Sequence, residues 1–169
     1  MEEQANLNVL WAPWRMEYIL GHKQQGCIFC PPAATEGDRE RLLLYRGRLS
    51  RVMMNRYPYN NGHLLVFPAS HVPGLEGLST EEMADLFLTV RSSIGVLRES
   101  MNPDGFNVGI NLGRVAGAGV EEHVHFHIVP RWSGDTNMMT VLGDVRVIPE
   151  HLLATYDRLR PLFDRLPAG

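Results

Sequence analysis

The run His123, Val124, His125, Phe126, His127, Ile128 sets three imidazoles in alternation with three apolar residues. In an extended strand successive side chains point to opposite faces. The histidines therefore form one row, spaced by about 6.5 Å, while Val124, Phe126 and Ile128 turn the other way. One face holds chemistry and the other holds core. A single histidine on an apolar face is ordinarily structural, but three in period-two register form a functional array. Neutral imidazole is a nucleophile near pH 7 and also the commonest metal ligand, so group transfer through a ring nitrogen and a metallohydrolase site with three histidine ligands both stand at this point. Adjacent protonated rings repel, so a shared, partial protonation is expected, relieved by a bound phosphate.

Two further groups lie in reach of this chemistry. The run from Gly113 to Gly119 precedes the array, and glycines let backbone amides approach and point at phosphate oxygens. Alone such a run reads as a hairpin loop; beside the histidines, Gly117 and Gly119 become phosphate-binding candidates. Two cysteines cannot build a disulfide framework, and in a reducing compartment the pair Cys27 and Cys30 binds metal or does redox work. Thioredoxin-like chemistry is disfavoured because no βαβ pattern surrounds the pair.

The elements that must position these residues are short. Leu42 to Tyr45, Leu49 to Met54 and His63 to Phe67 are apolar runs separated by Gly47 and by the turn-rich stretch Tyr57 to Gly62, which predicts three antiparallel strands. Ser79, Thr80, Glu81, Glu82 is a capping box. Behind it Met83, Leu86, Phe87, Val90, Ile94, Leu97 and Met101 recur at helical spacing, predicting a long helix with one buried stripe. Asn102 to Gly105 stops it, Phe106 to Leu112 reads as a fourth strand, and the histidine segment as a fifth. Pro31 to Arg41 lacks periodicity and reads as a loop. Pro149 suits the first turn of a final helix through about Leu166, with Leu152, Leu153, Tyr156, Leu159 and Phe163 apolar. Strands, helix, strands, helix with short connections give an α+β domain, an antiparallel sheet of about five strands with helices on one side.

Bulk properties bound the rest. A chain of 169 residues with 44% hydrophobic content makes one globular domain. The expected organisation is an N-terminal arm at 1–26 carrying Trp11 and Trp14, a core at 27–136, and an extension at 137–169 whose final helix packs on the same domain. A formal charge of −3 argues against a nucleic-acid partner held by bulk counterion release. The start Met1, Glu2, Glu3, Gln4 has no leader pattern and no apolar run approaches the roughly 18 residues that span a bilayer, so a cytoplasmic protein with no membrane partner is expected. His22 and His151 lie outside every motif.

HVHFHIVP, together with Asn55 in VMMNRYPYNNGHLLVFP, Asn111 in NVGINLG, the glycines before His123 and the run Pro130 to Asp135, resembles the histidine-triad (HIT) superfamily over roughly Cys27 to Thr136. The resemblance implies that His125, the middle histidine, is a nucleophile that attacks the α-phosphorus of a nucleotide to give a nucleotidyl-histidine. His127 is then a donor to phosphate oxygens or the leaving group, Asn55 a ribose ligand, and Asn111 a phosphate or leaving-group ligand. Where relatives often carry serine or threonine shortly before the triad, this chain has Gly119, Val120, Glu121, Glu122, so a hydroxyl contact is not carried over. His63 resembles a position near the nucleotide pocket, with packing or a backbone hydrogen bond as its simpler role. Zinc-bearing members pair an N-terminal CxxC with a histidine after the third strand and the first triad histidine, which implies a structural zinc on Cys27, Cys30, His71 and His123. His123 then serves the metal rather than acting as an acid in the catalytic triad. The arm, CIFC and VPRWSGDTNMM are similar to the bacterial branch containing diadenosine tetraphosphate phosphorylases and hydrolases, which implies dinucleoside polyphosphate substrates and a homodimer. A nucleoside phosphoramidate hydrolase and a nucleotide-binding regulator with little turnover are the alternatives.

Overall fold

The computed structural model describes residues 26–136 and 147–167. The expected arm, with Trp11, Trp14 and His22, and the start of the C-terminal extension lie outside the described residues.

Five strands, β1 (Leu43–Arg46), β2 (Ser50–Met54), β3 (Leu64–Pro68), β4 (Gly105–Ile110) and β5 (Phe126–Arg131), form one sheet in the order β1-β2-β3-β5-β4. Every neighbouring pair is antiparallel. Among the described residues three α-helices accompany them: α1 (Asp38–Arg41), α2 (Thr80–Met101) and α3 (Leu152–Phe163). The fold is the expected α+β arrangement.

Period-two alternation divides the sheet into two unlike faces. Leu44, Val52, Met54, Leu64, Val66, Phe126 and Ile128 face α2 and α3, where Leu86, Leu97, Tyr156, Leu159 and Phe163 complete the main core. Leu43, Met53, Leu65 and Phe67 face the other way and pack with Phe29 in a smaller cluster. Cross-strand register pairs His127 with Leu65 on one side and with Gly109 on the other, so the histidine side of β5 continues this second face.

The long helix begins as its sequence specifies: the Ser79 side chain accepts from the Glu82 amide and Glu82 accepts from the Ser79 amide. Its buried side includes Leu86, Val90 and Leu97 of the expected stripe, widened by Thr89, Ser93 and Val96. Phe87 departs from the expectation, standing 52% exposed with its ring edge-on to Phe126. Thr89 and Ser93 are affordable inside because Ser50 Oγ lies 2.7 Å from Thr89 Oγ1 and donates to Asp85, while Ser93 donates to the Thr89 carbonyl.

Three local expectations are corrected. The stretch expected as loop contains α1, a single turn between Gly37 and Leu42, both in the left-handed region. Arg46 binds both oxygens of buried Asp38, and Arg39 grips Asp157 on α3, so tertiary ion pairs hold a turn that no apolar period announces. The final helix starts at Leu152 with His151 as its cap, accepting the Leu153 amide; Pro149 lies outside it. The fifth strand starts at Phe126, so His123 and His125 precede the ladder.

Candidate active site and metal cluster

The array is buried rather than laid open along a strand. His123 is fully enclosed, His125 is 5% exposed and only His127 is half-buried. Val124 donates its amide to the Val72 carbonyl at 2.8 Å, holding the segment before β5 against the chain that leaves β3. Phe29 covers the array from the remote cysteine turn, its ring 4.5 Å from that of His125 and 5.4 Å from that of His123.

Each histidine commits one nitrogen differently. His125 Nδ1–H donates to the His123 carbonyl at 2.9 Å, which leaves Nε2 with its lone pair and fixes the neutral tautomer a nucleophile needs. His127 Nδ1 lies 3.0 Å from His63 Nε2. His63 Nδ1 accepts the Tyr59 amide at 3.1 Å, so its proton sits on Nε2 and is donated to His127, whose own proton is thereby directed to Nε2. Tyr59 lies parallel to the His127 ring, 5.9 Å away, and Asn55 Nδ2 approaches His63 Nδ1 at 3.3 Å. Asn55 Oδ1 accepts the Tyr57 amide, which ties the candidate ribose ligand to the turn between β2 and β3.

Protonation follows burial more than mutual repulsion. Burial is the largest cause lowering the affinity of His63, His123, His125 and His127 for a proton, with neighbouring imidazoles adding to it at His63, His123 and His127. His127 falls to about 4 and His63 to about 3. The expected partial protonation is therefore replaced by neutral rings near pH 7, because these side chains are withdrawn from water.

The glycine-rich connection lies at the end of β4. Gly117 takes φ +91, a left-handed conformation that glycine adopts without strain, and its carbonyl accepts from Asn111 Nδ2 at 3.4 Å. Asn111 and Gly117 are thus in contact, whereas Gly119 is exposed and no heavy atom would crowd a Cβ there.

Cys27, Cys30, His71 and His123 converge, their ligand atoms all within 4.8 Å of one another. Cys27 Sγ and Cys30 Sγ lie 3.5 and 3.6 Å from His123 Nδ1, and Cys30 Sγ lies 3.3 Å from His71 Nδ1. A tetrahedral zinc with its usual bond lengths separates sulfur and nitrogen ligands by about 3.6 Å, so the donor set fits that ion in kind and spacing. His123 Nε2–H donates to the Pro68 carbonyl at 3.0 Å, leaving Nδ1 as a lone pair aimed at both sulfurs, the tautomer a metal requires.

Periodicity left His63 with packing or a backbone hydrogen bond as its simpler role and did not single out Phe29. His63 has the parity of Leu65 and Phe67, the face of the array, and its ring hydrogen-bonds His127 there. Nothing in the sequence announces Phe29 except its position between two cysteines.

Comparison with known proteins accords with this geometry. The HIT domain family matches residues 36–134. The chain is 40% identical over 173 residues to the AP-4-A phosphorylase of Mycobacterium tuberculosis, covering 98% of this chain and 89% of that protein. It is 31% identical over 128 residues to the adenosine 5'-monophosphoramidase of Schizosaccharomyces pombe, covering 76% of this chain and 91% of that one. Among solved structures, a Zn-bound histidine triad family protein from Mycobacterium smegmatis superposes with a TM-score of 0.62 at 26% identity, over 83% of this chain and 94% of the other. With the alternating histidines leading into an inner strand of an antiparallel sheet and the match running through most of the described core, this chain belongs to the HIT domain family.

Proposed function

We propose that this protein cleaves dinucleoside polyphosphates of the diadenosine tetraphosphate kind through a nucleotidyl-histidine on His125. The observation that carries the reading is the His125 tautomer: Nδ1–H is spent on the His123 carbonyl, so Nε2 is a neutral, unprotonated nucleophile that approaches a polyanion without charge repulsion. In the first step a bond forms from His125 Nε2 to the α-phosphorus and the bond from that phosphorus to the bridging oxygen breaks, releasing ATP. In the second, phosphate or water attacks the same phosphorus, the P–N bond breaks, and ADP or AMP leaves. His127, with its proton directed to Nε2, donates to phosphate oxygens or the departing oxygen. Asn55 takes the ribose hydroxyls, while Asn111, Gly117 and Gly119 take phosphate oxygens.

Cys27, Cys30, His71 and His123 hold a zinc ion in this reading, the ion serving as a structural tie between the cysteine turn and the segment that carries His125. His123 then positions the array and touches no substrate. A homodimer is the proposed assembly, supported by the outer edge of β4, a terminal strand with Val108 44% exposed, and by the exposed apolar side chains Leu112, Phe87 and Leu88.

Incubation with diadenosine tetraphosphate, with and without inorganic phosphate, tests the reading. ADP plus ATP marks phosphorolysis and AMP plus ATP marks hydrolysis. His125→Ala should abolish turnover while leaving nucleotide affinity nearly unchanged. A His125→Ala rate equal to wild type sinks the mechanism. The phosphoramidase relative favours a second reading, scission of a P–N bond by the same nucleophile, which an adenosine phosphoramidate assay distinguishes.

A further inference from the structure

The cysteine turn does more than carry two sulfurs. The Cys30 amide donates to the Cys27 carbonyl at 3.0 Å, and this closed turn sends its two intervening side chains in opposite directions. Ile28 is 44% exposed and Phe29 is 1% exposed. The Phe29 ring packs 4.7 Å from Phe67, which itself stands edge-on to His123, and it tilts by 34° over the His125 ring at 4.5 Å. Enclosed on all sides, it has no face left for a nucleobase, so it is not a stacking platform for substrate.

His125 has one hydrogen-bonded nitrogen, and a single such contact permits its ring to swing. The packed face of Phe29 removes that freedom. We propose that Phe29 is a positioning residue that clamps the His125 imidazole, and that the metal cluster sets the clamp by fixing the turn from which Phe29 projects. The ion thereby governs the orientation of the reacting nitrogen while contributing nothing to substrate binding. The catalytic part of this inference rests on His125 being the nucleophile.

Phe29→Leu tests it, since leucine keeps an apolar filling and removes the flat face. Wild type and variant, both loaded with zinc, are compared by chelator competition for zinc, by side-chain nitrogen spectra of the histidines, and by kcat and KM on diadenosine tetraphosphate. The expected variant binds zinc with wild-type stoichiometry and shows His125 nitrogens averaged between tautomers and orientations. Its kcat falls by about 10- to 100-fold, with KM changed by less than about threefold. Removing zinc from the wild type should produce the same change in the His125 signals while amide signals across β4 stay in place. Phe29→Met replaces Phe29→Leu should the latter fail to fold. Wild-type His125 signals in the folded variant, or in the zinc-stripped protein, overturn the clamp. A wild type that neither cleaves the dinucleotide nor forms an adduct at His125 overturns the catalytic reading instead, and the nitrogen spectra still decide the clamp.

Discussion

Replacing His63 with phenylalanine removes two nitrogens from a ring that is 1% exposed and puts a somewhat larger apolar ring in its place. Three contacts vanish together: the donation from Nε2 to His127 at 3.0 Å, the acceptance of the Tyr59 amide at 3.1 Å and the approach of Asn55 Nδ2 to Nδ1 at 3.3 Å. Leaving the amide without its acceptor costs about 1–3 kcal/mol, and the easier burial of the apolar ring offsets the strain of its extra volume and part of this cost, so a net loss of about 1–2 kcal/mol is expected. In a protein of this size that lowers Tm by roughly 2–8 °C. The chemical consequence is larger than the thermal one. His127 loses the donor that directs its proton to Nε2, and removing the group that orients a functional histidine costs about 10- to 100-fold. Side-chain nitrogen spectra should show His127 passing from one tautomer to a mixture, while dinucleotide cleavage slows mainly in kcat. A variant with wild-type kcat and an unchanged His127 spectrum would refute the relay, whatever its melting temperature.

Two titration predictions follow from burial. His127 and His63 hold protons less readily in the folded state, near 4 and 3 against an ordinary 6.5, so the unfolded chain binds more protons between those limits. Stability is fully present above about pH 6.5 and is lost as the pH falls toward 4; His127 accounts for at most about 3 kcal/mol, reduced by the screening that its half-buried ring retains. Urea midpoints measured from pH 7 down to 4.5 should fall, and less steeply in His63→Phe; a flat profile contradicts the burial argument. At the metal cluster, burial above all pushes the Cys27 thiol up from its ordinary value. Zinc must displace that proton, so apparent zinc affinity should climb with pH through the neutral range, and chelator competition that gives equal affinity at pH 6 and pH 8 contradicts thiolate ligation.

Periodicity carried the strands and the long helix because one physical rule, the burial of one face, governs every residue in them. Leu64, Val66, Phe126 and Ile128 do face the helices as alternation requires, and the Ser79 and Glu82 box sets the start of α2 at the residue it names. Elements held by distant partners were illegible. The turn Asp38–Arg41 depends on Arg46 and on Asp157, the latter 118 residues away from Arg39, and no local pattern encodes such pairings. Phe87 has the helical spacing of a core residue, but it stands 52% exposed, in T-shaped contact with Phe126.

The array shows where sequence parity ends and environment begins. Alternation makes His123, His125 and His127 equivalent, three copies of one side chain on one face. Their partners make them different, because each Nδ1 meets a different group: two thiols from the cysteine turn, the carbonyl of His123, and the imidazole before β3. Only the His125 contact is local in sequence, and it is also the one whose direction, ring N–H to backbone carbonyl, could be expected from chemistry alone. Because a neutral imidazole has one donor and one acceptor, committing one nitrogen decides the character of the other. His123, which donates to Pro68, presents a lone pair to metal; His125 presents a lone pair to phosphorus; His127 presents a proton. Three roles therefore come from one repeated residue through the choice of second partner, and exchanging those partners, rather than the histidines, should move the roles.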